Sequence, residues 1–422
     1  MAVMTADLVR KEVKEWVADN WDPDLTLAEW WARLADSGWA VPTWPEEWHG
    51  KGLPRDLANA AMDELAKAGA VGPPSGLGIL LAGPTIIAHG TDEQKRRYLK
   101  PIVNGQEAWC QLFSEPGAGS DLAGLQTRAE RDGDEWIVNG QKVWTSGGQL
   151  AELGMLVART DWDVPKHKGL TYFAFPMEQP GVEVRPLREM TGRALFSEVF
   201  MTDARVADDA RIGDLNAGWI VANTTLANER AGLGSGGAGA LGGAFPGRKA
   251  GFLDRRVGDL AGGGPRGGGA GADVGSARSG RQFQTLAREL GKDGDPVVRQ
   301  HLTELYILNE IGRMTALRTR AALKAGRGPG PEANTAKLMM SRITRLSREV
   351  GLEILGPYGT LMGDDTPGGG AIQEMALFSP APSIYGGSDE IQKNIIGERV
   401  LGLPKEPDPY KGKAFREVPR NG

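Results

Sequence analysis

Trp136-Ile-Val-Asn-Gly-Gln-Lys-Val-Trp144 is where the period of the chain changes. From about residue 5 to 107 apolar residues recur at helical spacing, broken at proline and glycine. Here they alternate instead, and Asn139-Gly140 stands between two strand-like runs, the strongest short-range signal of a two-residue hairpin. Further strand candidates are Leu153 to Arg159, Leu170 to Met177, Val182 to Leu187 and Glu198 to Thr202, separated by Pro and Gly. No helical pattern intervenes, which predicts an antiparallel barrel or sandwich, not a doubly wound sheet. The fold class is therefore α+β.

Outward from that centre the pattern is helical on both sides. Leu8 to Trp16, Leu27 to Leu34 and Ser75 to His89 are amphipathic or apolar segments, and Thr91 caps the next helix with acids in its first turn. Seven of the twelve tryptophans precede residue 50, so core packing of the first domain is their expected role. Helical pattern returns near Trp219. Met339, Ile343, Leu346, Val350 and Ile354 make one apolar face of a long helix, and Ile307, Ile311 and Met314 do the same in the helix before it. Four such helices predict a bundle. The expected domains are 1–107 helical, 108–215 β, 216–405 a helical bundle and 406–422 a tail. A glycine-rich tract, with a mobile loop at about 245–280, interrupts the bundle.

Composition excludes several functions. A net charge of −5 over 422 residues makes no electrostatic case for nucleic acid or an anionic membrane. Cys110 is the only cysteine, and His49, His89, His167 and His301 are far apart, so neither a disulfide nor a metal-ligand spacing is present. No apolar run approaches the ~18 residues of a membrane span. No secretory leader is read at the N-terminus, and the expected setting is cytoplasmic. Gly232-Leu-Gly-Ser-Gly-Gly237 matches a dinucleotide fingerprint, but a helical segment precedes it where a strand is required.

Two stretches carry more specific chemistry. Cys110-Gln-Leu-Phe-Ser-Glu-Pro-Gly-Ala-Gly-Ser-Asp121 joins a strand-like entry to a turn rich in backbone N–H groups, and Gln111 and Ser114 supply polar atoms. Ile384-Tyr-Gly-Gly-Ser-Asp-Glu-Ile-Gln392 is a glycine loop opening a helix, with Ser388 as its N-cap.

Ser114 to Asp121 followed by Val138 to Ser146 resembles the first signature of the acyl-CoA dehydrogenases. His89-Gly-Thr-Asp-Glu-Gln-Lys-Arg-Arg-Tyr98 looks like their N-terminal helix junction, Leu355-Gly-Pro-Tyr-Gly359 like their flavin-contacting loop, and 384 to 400 like their C-terminal signature. The resemblance runs in order from about residue 5 to 405. It implies an N-terminal helical domain, a middle β domain and a C-terminal four-helix bundle, with FAD between the last two near a subunit interface. By position, Gln111, Phe113, Ser114, Trp144 and Ser146 are expected to face the flavin, and Ser120 to lie near the acyl-CoA or the flavin edge. Gly356, Gly359, Ser388 and Glu390 are expected along the adenine half of FAD, the first two from a neighbouring subunit. Arg288-Glu-Leu-Gly291 is the nearest text to the family's pyrophosphate-binding element and does not match it.

Such enzymes remove the α-proton of an acyl-CoA thioester while the β-hydrogen leaves as hydride. At position 386 the family usually has the glutamate that acts as base, and here there is Gly386. Its N–H remains available to the thioester oxygen. Some members carry the base on the first bundle helix in a Glu-Arg pair, with a small residue at the loop position. Asn228-Glu-Arg-Ala231 matches that arrangement, so Glu229 is the expected base, with Arg230 beside it at the substrate. A solvated surface ion pair is the competing reading of Glu229-Arg230, and Asp389 and Glu390 are rival carboxylates. The resemblance further implies an electron-transfer flavoprotein as acceptor, and a homotetramer or a heterotetramer with a paralogous subunit. A non-catalytic or half-catalytic subunit of a heteromeric dehydrogenase is the alternative. An oxygen-reducing relative is a third.

Overall fold

The computed structural model describes residues 4–234, 244–261, 280–326, 333–363 and 365–419. Five helices build the first domain: α1 (Ala6–Asn20), α2 (Leu27–Ser37), α3 (Arg55–Lys67), α4 (Gly83–His89) and α5 (Asp92–Val103). Their ends follow from local chemistry. Thr26 and Glu29 form a capping box at α2, and Thr91 and Gln94 form another at α5. Gly38, at φ +78°, takes the left-handed turn that stops α2. Trp30 and Trp31 are buried in this domain, and their indole N–H groups donate to Val71 O (2.7 Å) and Gly72 O (2.9 Å). Each tryptophan thus adds apolar burial without leaving a polar atom unpaired. A π-helical turn, Gly78–Ala82, runs directly into α4.

Seven strands form one curled sheet: β1 (Trp109–Leu112), β2 (Arg128–Asp132), β3 (Glu135–Ser146), β4 (Leu153–Arg159), β5 (Leu170–Pro176), β6 (Val182–Leu187) and β7 (Phe196–Ala207). The order is β1-β4-β2-β3-β7-β6, with β5 paired to β4. Pairing is antiparallel except that β1, and the first residue of β2, run parallel to β4. All seven residues of β4 are buried, Cys110 is buried beside them, and burial pushes its thiol up to about 12, so it is inert.

Asn139-Gly140 is not a hairpin turn. β3 runs straight through it, and the hairpin turn lies earlier, at Gly133 (φ +63°), between β2 and β3. At Gly140 the pairing with β7 slips by a bulge. The reason is steric: a Cβ there would stand 2.7 Å from the Thr127 Cα, so only glycine lets the two chains pass. The Asn-Gly signal marked a close approach, and the register set by the flanking apolar residues overrode it.

The C-terminal region is helical: α6 (Gly218–Gly234), α7 (Arg281–Glu289), α8 (Pro296–Lys324), α9 (Ala333–Leu355), α10 (Ala371–Phe378) and α11 (Asp389–Arg399). α9 is its centre, with α7, α8, α10 and α11 against it. Val350 and Ile354 are buried as the stripe predicts, and Leu305 and Leu308 of α8 meet them in the same small core. Ile307, Ile311 and Met314 form a stripe too, but it faces solvent. The expected mobile loop at 245–280 is corrected in its first part. Residues 244–261 are packed on the first domain: Leu27 N–H donates to Arg255 O and Ala28 N–H to Leu253 O, while Val257 is fully buried. The remainder of that tract, 262–279, lies outside the described residues.

Candidate functional site

The site gathers where Glu229 of α6 meets Gln111 of β1. Val221, Ala222 and Thr225 bury one face of α6. The Thr225 hydroxyl bonds those of Thr85 (2.9 Å) and Tyr172 (3.2 Å), and Thr224 bonds His89 (2.7 Å). These contacts fix the helix against α4 and β5. Glu229 lies four residues beyond Thr225, one turn along the same face. There its Oε2 accepts a hydrogen bond from Gln111 Nε2 at 3.2 Å. The expected base and the first of the expected flavin-facing residues therefore meet directly. Arg230 follows on the helix, and its side chain lies outside the described residues.

Beyond Gln111, Phe113 is buried edge-on to Tyr172, and Ser114 is half-buried, its carbonyl accepting from Val143 N–H. Under this strand lies a buried ion pair absent from the expected residues: Lys142 Nζ to Glu115 Oε1, 2.9 Å. Lys142 also donates to Phe113 O (3.0 Å), and Glu115 accepts from Gln126 N (2.6 Å) and Thr127 N (2.8 Å). Burial alone raises the Glu115 carboxyl, but the Lys142 ammonium and the Gln126 N–H outweigh it and hold it below its usual range. A signal for Lys142 was legible, because it keeps the inward parity of Trp136 and Val138, and a buried ammonium needs a carboxylate.

Trp144 shows how the tip of β3 is re-aimed. The register slips again between Lys142 and Thr145, and Trp144 takes φ +63°, rare for a bulky residue. Its indole is 56% exposed, edge-on to Phe196, while the buried Thr145 hydroxyl has no partner and Ser146 is half-buried. An outward-turned indole at a strained backbone position fits stacking against a planar ring system such as a flavin.

The loop at 384–392 rests on a separate set of contacts. Gly386 (φ +65°) and Gly387 (φ +86°) turn the chain, and the buried Gln392 amide donates to Gly386 O (3.1 Å). Ser388 caps α11 by accepting from Ile391 N–H. Asp389 is buried among Ser341 (2.7 Å), Lys337 (3.4 Å) and Arg345 (3.4 Å) of α9, so this rival carboxylate anchors the loop. Glu390 is exposed. Gly356 (φ +55°) and Gly359 lie in the 3-10 turn that ends α9, and Ser120 is exposed in the turn after β1. Arg288 lines a cleft between α7 and α8 with Arg299 and Tyr306. An open cleft of about 470 Å³ on the middle domain, lined by Gln126, Arg128, Glu130, Asn139, Gly140 and Trp162, contains none of the expected site residues.

With this geometry in place, comparison with known proteins is specific. The acyl-CoA dehydrogenase N-terminal domain matches residues 1–106, the middle domain 110–204 and the C-terminal domain 274–401. The chain is 37% identical to acyl-CoA dehydrogenase IpdE1 of Mycobacterium tuberculosis over 414 residues, covering 94% of this chain and 97% of that protein. It is 35% identical to IpdE1 of Mycolicibacterium smegmatis, with the same coverage. Among solved structures it is similar to the ChsE4-ChsE5 complex from Mycobacterium tuberculosis (29% identity, TM-score 0.67, 96% of this chain and 100% of that one). It is also similar to the Tcur3481-Tcur3483 steroid ACAD (25% identity, TM-score 0.71, 96% and 100%). The matched domains stop at 204 and resume at 274, leaving α6 between them.

Proposed function

Since the chain belongs to the acyl-CoA dehydrogenase family of oxidoreductases, we propose that it dehydrogenates a bulky acyl-CoA thioester at the α,β position with Glu229 as the base. The observation that carries this reading is the Gln111–Glu229 hydrogen bond. It sets the one carboxylate of the Glu-Arg pair against the strand expected to face the flavin, whereas the loop position has only glycine. FAD, held by Gln111, Phe113, Ser114, Trp144 and Ser146, with Gly356, Gly359, Ser388 and Glu390 on its adenine half, supplies the hydride acceptor.

The residues of the chain do the remaining work. Glu229 takes the α-proton. Gln111 donates to its carboxylate and so keeps one rotamer aimed at the substrate. Gly386 N–H donates to the thioester oxygen as negative charge builds there, and Ser120 and Arg230 contact the acyl-CoA. Electrons pass on to an electron-transfer flavoprotein. The relative described as a steroid ACAD favours a fused-ring acyl group, and a base placed on the helix instead of the loop leaves a differently shaped pocket.

The test is anaerobic bleaching of the flavin with a panel of acyl-CoA thioesters. Glu229→Gln is expected to keep its FAD and lose about 10²–10⁴-fold in reduction rate, the usual worth of a positioned base. Normal bleaching by that variant would refute the assignment.

A second reading, a half-catalytic or non-catalytic subunit of a heteromer, is favoured by a specific surface. Ile307, Ile311, Met314 and Leu317 of α8, with Leu401 and Leu403 after α11, are all exposed in the single chain. Apolar surface of this kind is ordinarily covered by a partner subunit, and the two similar structures are each named for two chains. Expressing the chain alone separates the readings: a soluble, FAD-loaded tetramer supports a homo-oligomer, and an apo or aggregating chain supports a paralogous partner.

A further inference from the structure

The segment after α11 lies beyond the family-matched residues, yet its last described part is firmly docked on the middle domain. Phe415 N–H donates to Val164 O (2.9 Å) and Arg416 N–H to Trp162 O (3.1 Å). The Arg416 guanidinium bonds the Asp163 carboxylate (2.6 Å). Phe415 itself is 3% exposed, its ring 5.5 Å from that of Trp162.

What the ring covers is Arg159. This side chain is fully buried at the end of β4, and its guanidinium lies 3.5 Å from the Phe415 ring centroid. Among the described residues no carboxylate lies within ion-pair distance of it. Its donors go instead to three backbone carbonyls: Ala123 (2.7 Å), Leu125 (3.2 Å) and Lys166 (3.2 Å). With Glu115, Asp121 and Asp161 acting on it only at longer range, the buried guanidinium depends on such carbonyls and on an aromatic face to offset its lost hydration. The first two carbonyls belong to the turn that continues from Ser120. Lys166 Nζ also grips both oxygens of Asp121 at 2.8 Å, so that turn is fastened at Asp121, Ala123 and Leu125.

We propose that Phe415 and Arg159 are positioning residues for thioester binding: the docked segment 414–418 keeps Arg159 dry, and Arg159 holds the Ser120 turn in the form that receives the CoA arm of the substrate. The proposal rests on the dehydrogenase reading, so its test has one arm that does not.

In the FAD-loaded full chain, Phe415→Ala is expected to speed hydrogen exchange across residues 119–125 without any substrate present. Unchanged exchange there overturns the coupling, whatever the enzyme's activity. In the activity arm the same variant is expected to raise KM for the acyl-CoA by about tenfold, the scale on which a misplaced binding element acts, with kcat and FAD content within about twofold. Phe415→Trp should restore KM. A variant that merely melts earlier, with KM unchanged, overturns the proposal. Should Phe415→Ala fail to fold, Arg416→Ala removes only the surface bond to Asp163 and should shift exchange and KM in the same direction, and no shift overturns it. Absence of bleaching by any thioester in the wild type would count against the dehydrogenase reading alone.

Discussion

Replacing Lys142 with methionine removes the ammonium from the buried pair beneath β1 while keeping an unbranched side chain of similar volume, so the cavity term is small. Breaking one side of a buried ion pair costs about 3–5 kcal/mol, because the remaining charge stays desolvated. The structure points to the lower end. Glu115, only 8% exposed, keeps two backbone donors, Gln126 N–H at 2.6 Å and Thr127 N–H at 2.8 Å, and each charge-assisted bond of this kind contributes ~1.5–3 kcal/mol. About 3 kcal/mol is then expected, a large share of the roughly 5–15 kcal/mol that a folded protein has in hand. Urea unfolding followed by tryptophan fluorescence reads it, since Trp136 and Trp144 lie on the same strand as Lys142.

Glu115→Gln with Lys142→Met removes both charges of the pair and should be less destabilised than the sum of the single changes by ~1 kcal/mol or more, the coupling expected of residues in contact. The pH dependence has a definite sign. The Glu115 carboxyl is held below its ordinary 4.5 in the fold, so its contribution is fully present above the unfolded value and is lost as pH falls through the folded one. Lys142→Met should lessen that acid sensitivity. A Lys142→Met protein within ~0.5 kcal/mol of wild type, or strict additivity in the double variant, would refute the claim that this pair organises the strand.

Other outcomes follow from single contacts. Gly140→Ala puts a Cβ 2.4 Å from the Thr127 hydroxyl oxygen and 2.7 Å from its Cα, and is expected to cost ~1–3 kcal/mol of overpacking, seen as a lower melting temperature. His301 bonds Glu353 at 2.7 Å, and that bond raises its pKa above 6.5. The stability it adds is present below the unfolded value and lost as pH rises through the raised one, so His301→Gln should flatten the melting temperature across that window.

Legibility along the chain depended on whether a short sequence window contained the deciding partner. Thr91 and Gln94 lie three residues apart, and the α5 capping box could be read from them alone. The α9 stripe was readable for the same reason, since its period is internal to the helix. Asn139-Gly140 was misread because its partner, Thr127, sits on another segment, and sheet register is settled by pairing and not by the local pair. Residues 244–261 look unstructured by composition, yet Leu253 and Val257 find Ala28 and Leu25, at and just before the start of α2, more than two hundred residues earlier. The Ile307, Ile311 and Met314 stripe has the helical period, but its exposure shows that the period says only which side is apolar, not what covers it.

The proposed placement of the base on α6 rests on what α6 and the loop at 386 each require. A glutamate at position 386 would have to hold φ near +65°, where an L side chain costs roughly 1–2 kcal/mol. The residues fixing that loop, Asp389 through Ser341, Lys337 and Arg345, keep its backbone in that conformation with glycine in place. α6 carries no such strain at Glu229. It is an ordinary helical position, fixed by the Thr224 and Thr225 hydroxyls one turn before it and by the hydrogen bond from Gln111 of β1. In the proposed function the two tasks of the site are separate: the loop presents an N–H from a backbone conformation suited to glycine, and the helix presents the base from a rigid element. On that reasoning the Thr225 hydroxyl network matters to proton removal only through the aim of Glu229. Thr225→Val should therefore slow flavin reduction while leaving FAD content unchanged, and equal loss of both would show that the network serves the fold alone.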